Sequence, residues 1–206
     1  MRWSVGILFI AAVATACGSD KVNQPEVSAL STASIETCTG FLDLEDVRNA
    51  AGRLDIEIGD PNINSGAQEL NASGIEALCV IEYITPEILI GGPTQLRVSG
   101  PSMTLTAIAF DSGLSAVTHY RLVLEGVRLT GDNASSRSDV AEGVLGKGSY
   151  LLIAEAEGIS SIIGFQVGRY VLQLHTTLPD GQAPLLAPED LMVLAGSVRA
   201  HFKSLQ

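Results

Sequence analysis

The chain has 206 residues and a formal net charge of −11, from 23 acidic and 12 basic residues. So acidic a surface disfavours nucleic acid, whose binding needs clustered Lys and Arg, and it disfavours electrostatic adhesion to anionic lipid headgroups. With 46% hydrophobic and 17% charged residues, the composition describes a globular domain rather than a disordered chain.

The first segment reads as an export signal. Arg2 gives a cationic start, Val5 to Val13 an apolar run, and Ala14, Thr15 and Ala16 small residues directly ahead of Cys17. A polar stretch, Gly18, Ser19, Asp20 and Lys21, follows. That order matches a bacterial lipobox, in which residues 1–16 are removed and Cys17 becomes an N-terminus carrying long acyl chains such as palmitate. Ala14-Thr15-Ala16 also suits a plain secretory cut. A membrane-spanning helix needs about 20 apolar residues, and this run is well short of that. Removing residues 1–16, which hold Arg2 and no acidic residue, takes the net charge from −11 to −12. The acyl chains at Cys17 would therefore supply the anchoring. The expected location is the extracytoplasmic face of the cell membrane; in a two-membrane cell, Gly18 rather than Asp after the cysteine points to the outer membrane.

Cysteine count supports the lipobox reading. The chain has three cysteines, Cys17, Cys38 and Cys79. An odd number in an exported protein leaves one thiol to explain, and acylation of Cys17 leaves an even pair in a disulfide-permissive compartment. Neither Cys38 nor Cys79 has a C-x-x-C or nearby-His spacing that would suit zinc. The pair is expected to form a structural disulfide, worth roughly 4 kcal/mol on the chain-entropy account.

Residues 17–37 hold the lipidated cysteine and a small, polar, aperiodic stretch that reads as a flexible tether of roughly 25 Å r.m.s. length. The globular domain is expected over 38–206. Asp43 opens a short helix with Leu44, Val47 and Ala51 on one face and Gly52 as its stop. Leu54, Ile56 and Ile58 alternate as a half-buried strand, and Asp60-Pro61-Asn62 with the residues after it reads as a loop. Residues 75–84 form a strand with Cys79, Ile81 and Tyr83 on one face. Pro86, Gly91-Gly92-Pro93 and Gly100-Pro101 punctuate 86–102 as a hairpin or irregular crossing, and 103–110 is strand-like.

The period then changes to helical, with Leu114, Val117, Tyr120, Leu124 and Val127 as the apolar stripe. Residues 130–148 read as loop, with a turn of helix as the alternative at Val140-Ala141-Glu142. Three strands follow at 149–156, 160–167 and 169–177, turned at Gly158 and Gly168. In the last, Tyr170, Leu172 and Leu174 face one way and Arg169, Gln173 and His175 the other. The chain closes on a helix with Pro188 at its start, Glu189 and Asp190 in the first turn, and Arg199, His201 and Lys203 near its end. The sum is an α+β single domain, a mostly antiparallel sheet with helices packed on one face.

This layout resembles a family of small actinobacterial lipoproteins that carry a domain of unknown function. The parts that carry the resemblance are Cys38, the Leu42–Gly52 helix, Cys79 to Tyr83, the Gly143–Gly146 turn, the F-x-V-G-R-Y-V run at Phe165 to Val171, and Leu194-Ala195 of the final helix. It extends over about 38–204 and departs from the family in the Pro/Gly segment at 86–102. The resemblance implies the fold and brings no catalytic residues.

No motif for catalysis, a cofactor or a metal emerges. His119, His175 and His201 lack metal-spaced partners. Gly143 to Ser149 departs from the phosphate-loop pattern, with Gly148 in place of its Ser/Thr. Glu155 and Glu157 share a strand parity and read as a solvated edge. The expected function is a non-enzymatic binding or envelope accessory module, with a membrane contact through Cys17 and a protein partner or apolar ligand. The alternative is an extracytoplasmic hydrolase, or an inactive remnant of one, with dispersed residues. Ile88, Leu89 and Ile90 are the candidate partner contact, because loops on a rigid sheet carry recognition; they would serve equally as a buried edge strand. Substituting Cys17→Ser is expected to move the protein from the membrane to the soluble fraction or leave residues 1–16 uncleaved, as read by fractionation and intact mass.

Overall fold

In the computed structural model, the described residues are 35–40, 42–52, 57–65, 74–86, 88–90, 96–98, 100–133, 137–156, 158–177 and 184–204. The expected signal peptide (1–16), Cys17 and the tether up to residue 34 lie outside them. The strands are β1 (Asn62–Ser65), β2 (Ile75–Ile84), β3 (Ile88–Ile90), β4 (Leu96–Val98), β5 (Ser102–Phe110), β6 (Arg137–Glu142), β7 (Ser149–Ala156), β8 (Gly158–Val167) and β9 (Tyr170–Thr177). The helices used below are α1 (Leu44–Ala51), α2 (Gly113–Asn133) and α3 (Pro188–Ser204).

Seven strands form one sheet in the order β1-β2-β5-β9-β8-β7-β6, and every neighbouring pair is antiparallel. The three central strands β5, β9 and β8 alternate two kinds of residue, because successive side chains point to opposite faces. Leu105, Ala107, Ile163, Phe165, Leu172 and Leu174 build the larger cluster on the first face. α3 closes it with Leu191, Leu194, Ala195, Val198 and Phe202, and α1 adds Val47. Phe202 meets Tyr170 edge-on at 5.3 Å between ring centroids. On the second face Ile75, Ile108, Phe110, Tyr150 and Val171 pack under Ala116, Tyr120 and Leu124 of α2.

The α+β class, the mostly antiparallel sheet and the single domain are as expected from the sequence. The helices are divided between the two faces, where the sequence led to one helix-bearing face. The physical reason lies in β5 and β9. Their second-face residues are apolar only at one end, Ile108, Phe110 and Val171, and this short patch is enough to seat α2. The expected stripe of α2 is met at Tyr120, Leu124 and Val127, but at its start Ala116 is fully buried and Leu114 is 76% exposed.

Local signals explain most of the element ends. The Asp43 backbone N–H donates to Asp46 Oδ2 (3.2 Å) at the start of α1, and Gly52 ends it in the left-handed region with its N–H on the Arg48 carbonyl. Ser112 Oγ accepts the Ser115 N–H at the start of α2. Gly168 takes φ 56° in the β8–β9 turn. Two strands arise where the sequence reads as loop, β1 in N-I-N-S and β6 in R-S-D-V-A-E. Both are sheet edges, where ladder bonds to one neighbour hold a polar segment extended without any propensity of its own. Of the strand expected at Leu54–Ile58, Ile58 is buried outside any strand, and Leu54 and Ile56 lie outside the described residues.

The expected disulfide is present. Cys38 and Cys79 are bridged with Cα atoms 5.3 Å apart, joining the start of the domain to β2. Near the bridge, buried Tyr83 of β2 donates its hydroxyl to the Leu42 carbonyl at 3.1 Å. Replacing both cysteines with Ala is expected to lower unfolding free energy by about 2–4 kcal/mol. The far-UV circular dichroism should stay native-like, because β7, β8, β9 and α3 lie outside the bridged loop; chemical denaturation reads the change.

Candidate functional site

The second face of the sheet changes character where α2 leaves it. α2 runs obliquely across this face. His119 sits 5.0 Å from the Phe110 ring on β5, Tyr120 lies 6.0 Å from Tyr150 on β7, and Arg128 ion-pairs with Glu142 on β6. Beyond Ile108 and Val171, β5 presents Thr106, Thr104 and Ser102, and β9 presents Gln173, His175 and Thr177. Backbone register sets them side by side: Val80, Thr106, Gln173 and Gly164 in one row, Glu82, Thr104, His175 and Ile162 in the next, then Ile84, Ser102 and Thr177. Apart from the exposed Thr177 the β5 and β9 members are half-buried, and no Lys or Arg occupies any of these positions.

Antiparallel sheets commonly pack one face on a core and leave the other to solvent, and Thr suits such a face. Here the central positions hold short, uncharged donors and acceptors. Two pairs are fixed. Ser160 Oγ and His175 Nε2 are 2.7 Å apart, and Gln173 Nε2 donates to the Tyr150 hydroxyl at 2.5 Å. The second pair depends on Gly164. A Cβ at this position would overlap the Tyr150 ring, so only glycine lets the ring lie across β8 and reach β9. The hydroxyls of Ser102, Thr104 and Thr106 have no hydrogen-bond partner among the described residues.

Burial sets the protonation states. It pushes the His175 imidazole below its ordinary pKa, so the ring is neutral at pH 7. It pushes the Tyr150 phenol up to about 12, against the opposing effect of the Gln173 hydrogen bond. His119, packed on Phe110, is also lowered by burial.

The other residues singled out in the sequence fall elsewhere. His119 is on α2, His175 on β9 and His201 on α3, and no group of three metal-ligating side chains occurs among the described residues. Gly143 to Ser149 is a tight turn, not a phosphate cradle. Ser149 Oγ accepts the Leu145 N–H and donates to the Gly146 carbonyl, while Arg199 of α3 donates to the Leu145 and Lys147 carbonyls. The carboxylates of Glu155 and Glu157 lie outside the described residues. Ile88, Leu89 and Ile90 form β3, paired with Val98, Arg97 and Leu96 of β4 in a two-stranded sheet separate from the main one. This hairpin springs from Ile84 and Ser102, the row at the open end of the polar face. At its base the Thr85 hydroxyl donates to the Pro101 carbonyl at 2.9 Å, and Gly100 packs against Thr85 with no room for a Cβ.

Sequence reading put Gln173 and His175 on a polar strand face but missed Ser160, Tyr150 and the threonines as their companions. The available signal was T-L-T at 104–106 and Q-L-H at 173–175, where short uncharged residues occupy alternate positions of strongly apolar strands.

No protein-family model and no curated protein matches the chain. Among solved structures it is similar to the extracellular domain of PknH from Mycobacterium tuberculosis, with a TM-score of 0.53 and 11% sequence identity, covering 84% of this chain and 96% of that one. At that identity the likeness shows the fold. No helix among the described residues is long and apolar enough to cross a membrane.

The lowered histidines couple stability to pH. Both bind a proton less readily folded than unfolded, where the pKa is about 6.5. Their contribution is therefore complete above pH 6.5 and is lost as pH falls from there through the folded values. Denaturation midpoints are expected to drop between pH 7 and 5, and His175→Gln is expected to flatten that slope.

Proposed function

We propose that the chain is a lipid-anchored extracytoplasmic binding module of the bacterial cell envelope and not an enzyme, a member of the lipoprotein family it resembles in sequence. The observation that carries the reading is the half-open polar face of β5 and β9, with the β3–β4 hairpin springing from its end. Support for the location comes from the lipobox at Cys17, from the Cys38–Cys79 disulfide, which persists in oxidising compartments, and from the fold shared with an extracellular domain. The polar face suits a polar ligand better than an apolar one, since an apolar occupant would strand its hydroxyls. The composition of the hairpin, I-L-I against L-R-V, suits a protein partner.

One observation favours the second reading, hydrolysis. Ser160 and a neutral His175 form the nucleophile–base contact that acyl transfer needs. From Ser161 to Phe165 the β8 backbone is paired with both β7 and β9, so that stretch has no N–H to spare for an oxyanion, while Gly158 to Ser160 pair with β7 alone.

Two measurements separate these readings. Leu89→Glu is expected to abolish partner capture from native membranes while leaving the melting temperature unchanged; a collapsed melting temperature assigns Leu89 to the core instead. A fluorophosphonate probe is expected to leave Ser160 unlabelled. Labelling together with ester hydrolysis that disappears in Ser160→Ala establishes the hydrolase.

A further inference from the structure

We infer that the outer face of α2 is a docking surface for a second copy of this chain, the two α2 helices packing antiparallel about a twofold axis at Leu122. This contact uses neither the β5–β9 face nor the β3–β4 hairpin, and so goes beyond the binding-module reading. Isolated exposed apolar side chains are ordinary on a protein surface. Among the described residues six large apolar side chains are exposed, and three of them, Leu114, Leu122 and Leu129, stand on α2. Leu122 is eight residues from Leu114 and seven from Leu129. Each interval is close to two helical turns, so the three form one ridge about 22 Å long. Ala116, Tyr120 and Leu124 hold the opposite side of α2 on the sheet. Thr118, Arg121, Glu125 and Gly126 lie between the leucines and are likewise exposed.

What selects a second copy is that the ridge is complementary to itself. A twofold interface joins one patch to its own image. With Leu122 near the axis, the almost equal intervals set Leu114 against Leu129 of the second copy, Leu122 against its counterpart, and Thr118 against Gly126. Gly126 fits that place. Glycine in mid-helix weakens the helix, and nothing beyond its own helix lies within 4 Å of the position a Cβ would take. Packing within the chain gives no reason for it, whereas a second helix opposite Thr118 could approach closely there. Charge agrees with spacing. Arg121 and Glu125 are one turn apart on the same flank, and the Arg121 guanidinium pairs with no carboxylate among the described residues. Antiparallel packing brings Arg121 of each copy to Glu125 of the other, two reciprocal ion pairs. A bilayer is disfavoured as occupant, because it would desolvate Glu125 without supplying a cation. One helix face falls below the roughly 1,200 Å² of standard interfaces, so the pairing is weak between free molecules. Confinement to one membrane surface through Cys17, on the lipid-anchor reading, raises the effective concentration.

The test uses the full acylated chain in phosphatidylcholine vesicles, with single cysteines introduced at exposed positions and oxidative cross-links read on a non-reducing gel. Leu122→Cys is expected to cross-link to itself at least tenfold faster than Val193→Cys, which is exposed on α3. Leu114→Cys and Leu129→Cys should each cross-link poorly alone and readily when mixed, as an antiparallel pair requires. In the Leu122→Cys background, Arg121→Glu and Glu125→Arg should each slow the reaction, since either homodimer then opposes like charges. Mixing these two variants should restore it, because the mixed pair regains both ion pairs. Cross-linking at Leu122→Cys no faster than at Val193→Cys, self-linking of Leu114→Cys equal to that of the mixture, or no recovery on mixing the charge variants each overturns the inference. So does a fluorophore on Leu122→Cys that reports lipid contact without any cross-link, which assigns the face to the bilayer. If the chain is recovered without acyl groups, the same pattern is expected at high protein concentration in buffer, so failure of the anchor and failure of the contact are told apart.

Discussion

The pleat of the central strands governs both halves of this protein. Along β5, β8 and β9, alternation sends Leu105, Phe165 and Leu172 to one face and Thr106, Gly164 and Gln173 to the other. The first set builds a core deep enough to bury α3 against the sheet. The second set is too small and too polar to seat a second full layer, so α2 finds purchase only on Ile108, Phe110, Val171 and Tyr150. A single periodicity thus makes one face structural and leaves part of the other open. Gly164 is where the two regimes meet. Its missing side chain admits the Tyr150 ring, which packs against Tyr120 of α2 and presents its hydroxyl to Gln173.

A second set of contacts ties irregular segments to this frame. The Cys38–Cys79 bridge and the Tyr83 hydroxyl on the Leu42 carbonyl fasten the start of the domain to β2. A chain held at the membrane through its N-terminal side would transmit any pull directly into the sheet at that bridge. At the other side, Arg199 of α3 reaches the Leu145 and Lys147 carbonyls and fixes the Gly143–Ser149 turn. The charge of this guanidinium strengthens both bonds relative to neutral donors. The turn is therefore rigid because of a helix distant in sequence, and its glycines serve backbone geometry: Gly143, Gly146 and Gly148 all have positive φ.

The proposed reading of the β5–β9 face as one of recognition rests on what a sheet can and cannot supply. A Ser–His contact on its own provides a nucleophile and a base, but acyl transfer also needs donors aimed at the developing oxyanion. Regular sheet is a poor place to find them, because the ladder consumes the N–H groups that a strained turn or a helix start would leave free. What a sheet face does supply is a regular array of side chains on a stiff support, and here its β5 and β9 members are uncharged and partly immobilised, with Glu82 of β2 beside them. Burial keeps the imidazole neutral.

Local physics determined much of this protein from the sequence alone. Strand periodicity in I-E-A-L-C-V-I-E-Y-I and Y-V-L-Q-L-H-T-T, the stop at Gly52, the Gly168 turn and the polarised ends of α3 are short-range signals, and each element lies where those signals put it. The Cys38–Cys79 pairing followed from a count of thiols. Tertiary contact decided the remainder. The edge strands β1 and β6 exist because a neighbour lends them hydrogen bonds, so polar segments without strand propensity gave no sign of them. Which residue opens the buried stripe of α2 depends on the apolar patch it meets, and the sequence could not tell Leu114 from Ala116. Ser160 and His175 lie 15 residues apart, and Gln173 and Tyr150 lie 23 apart. Only the antiparallel register of β7, β8 and β9 brings them together, and register is set by the packing of a whole sheet.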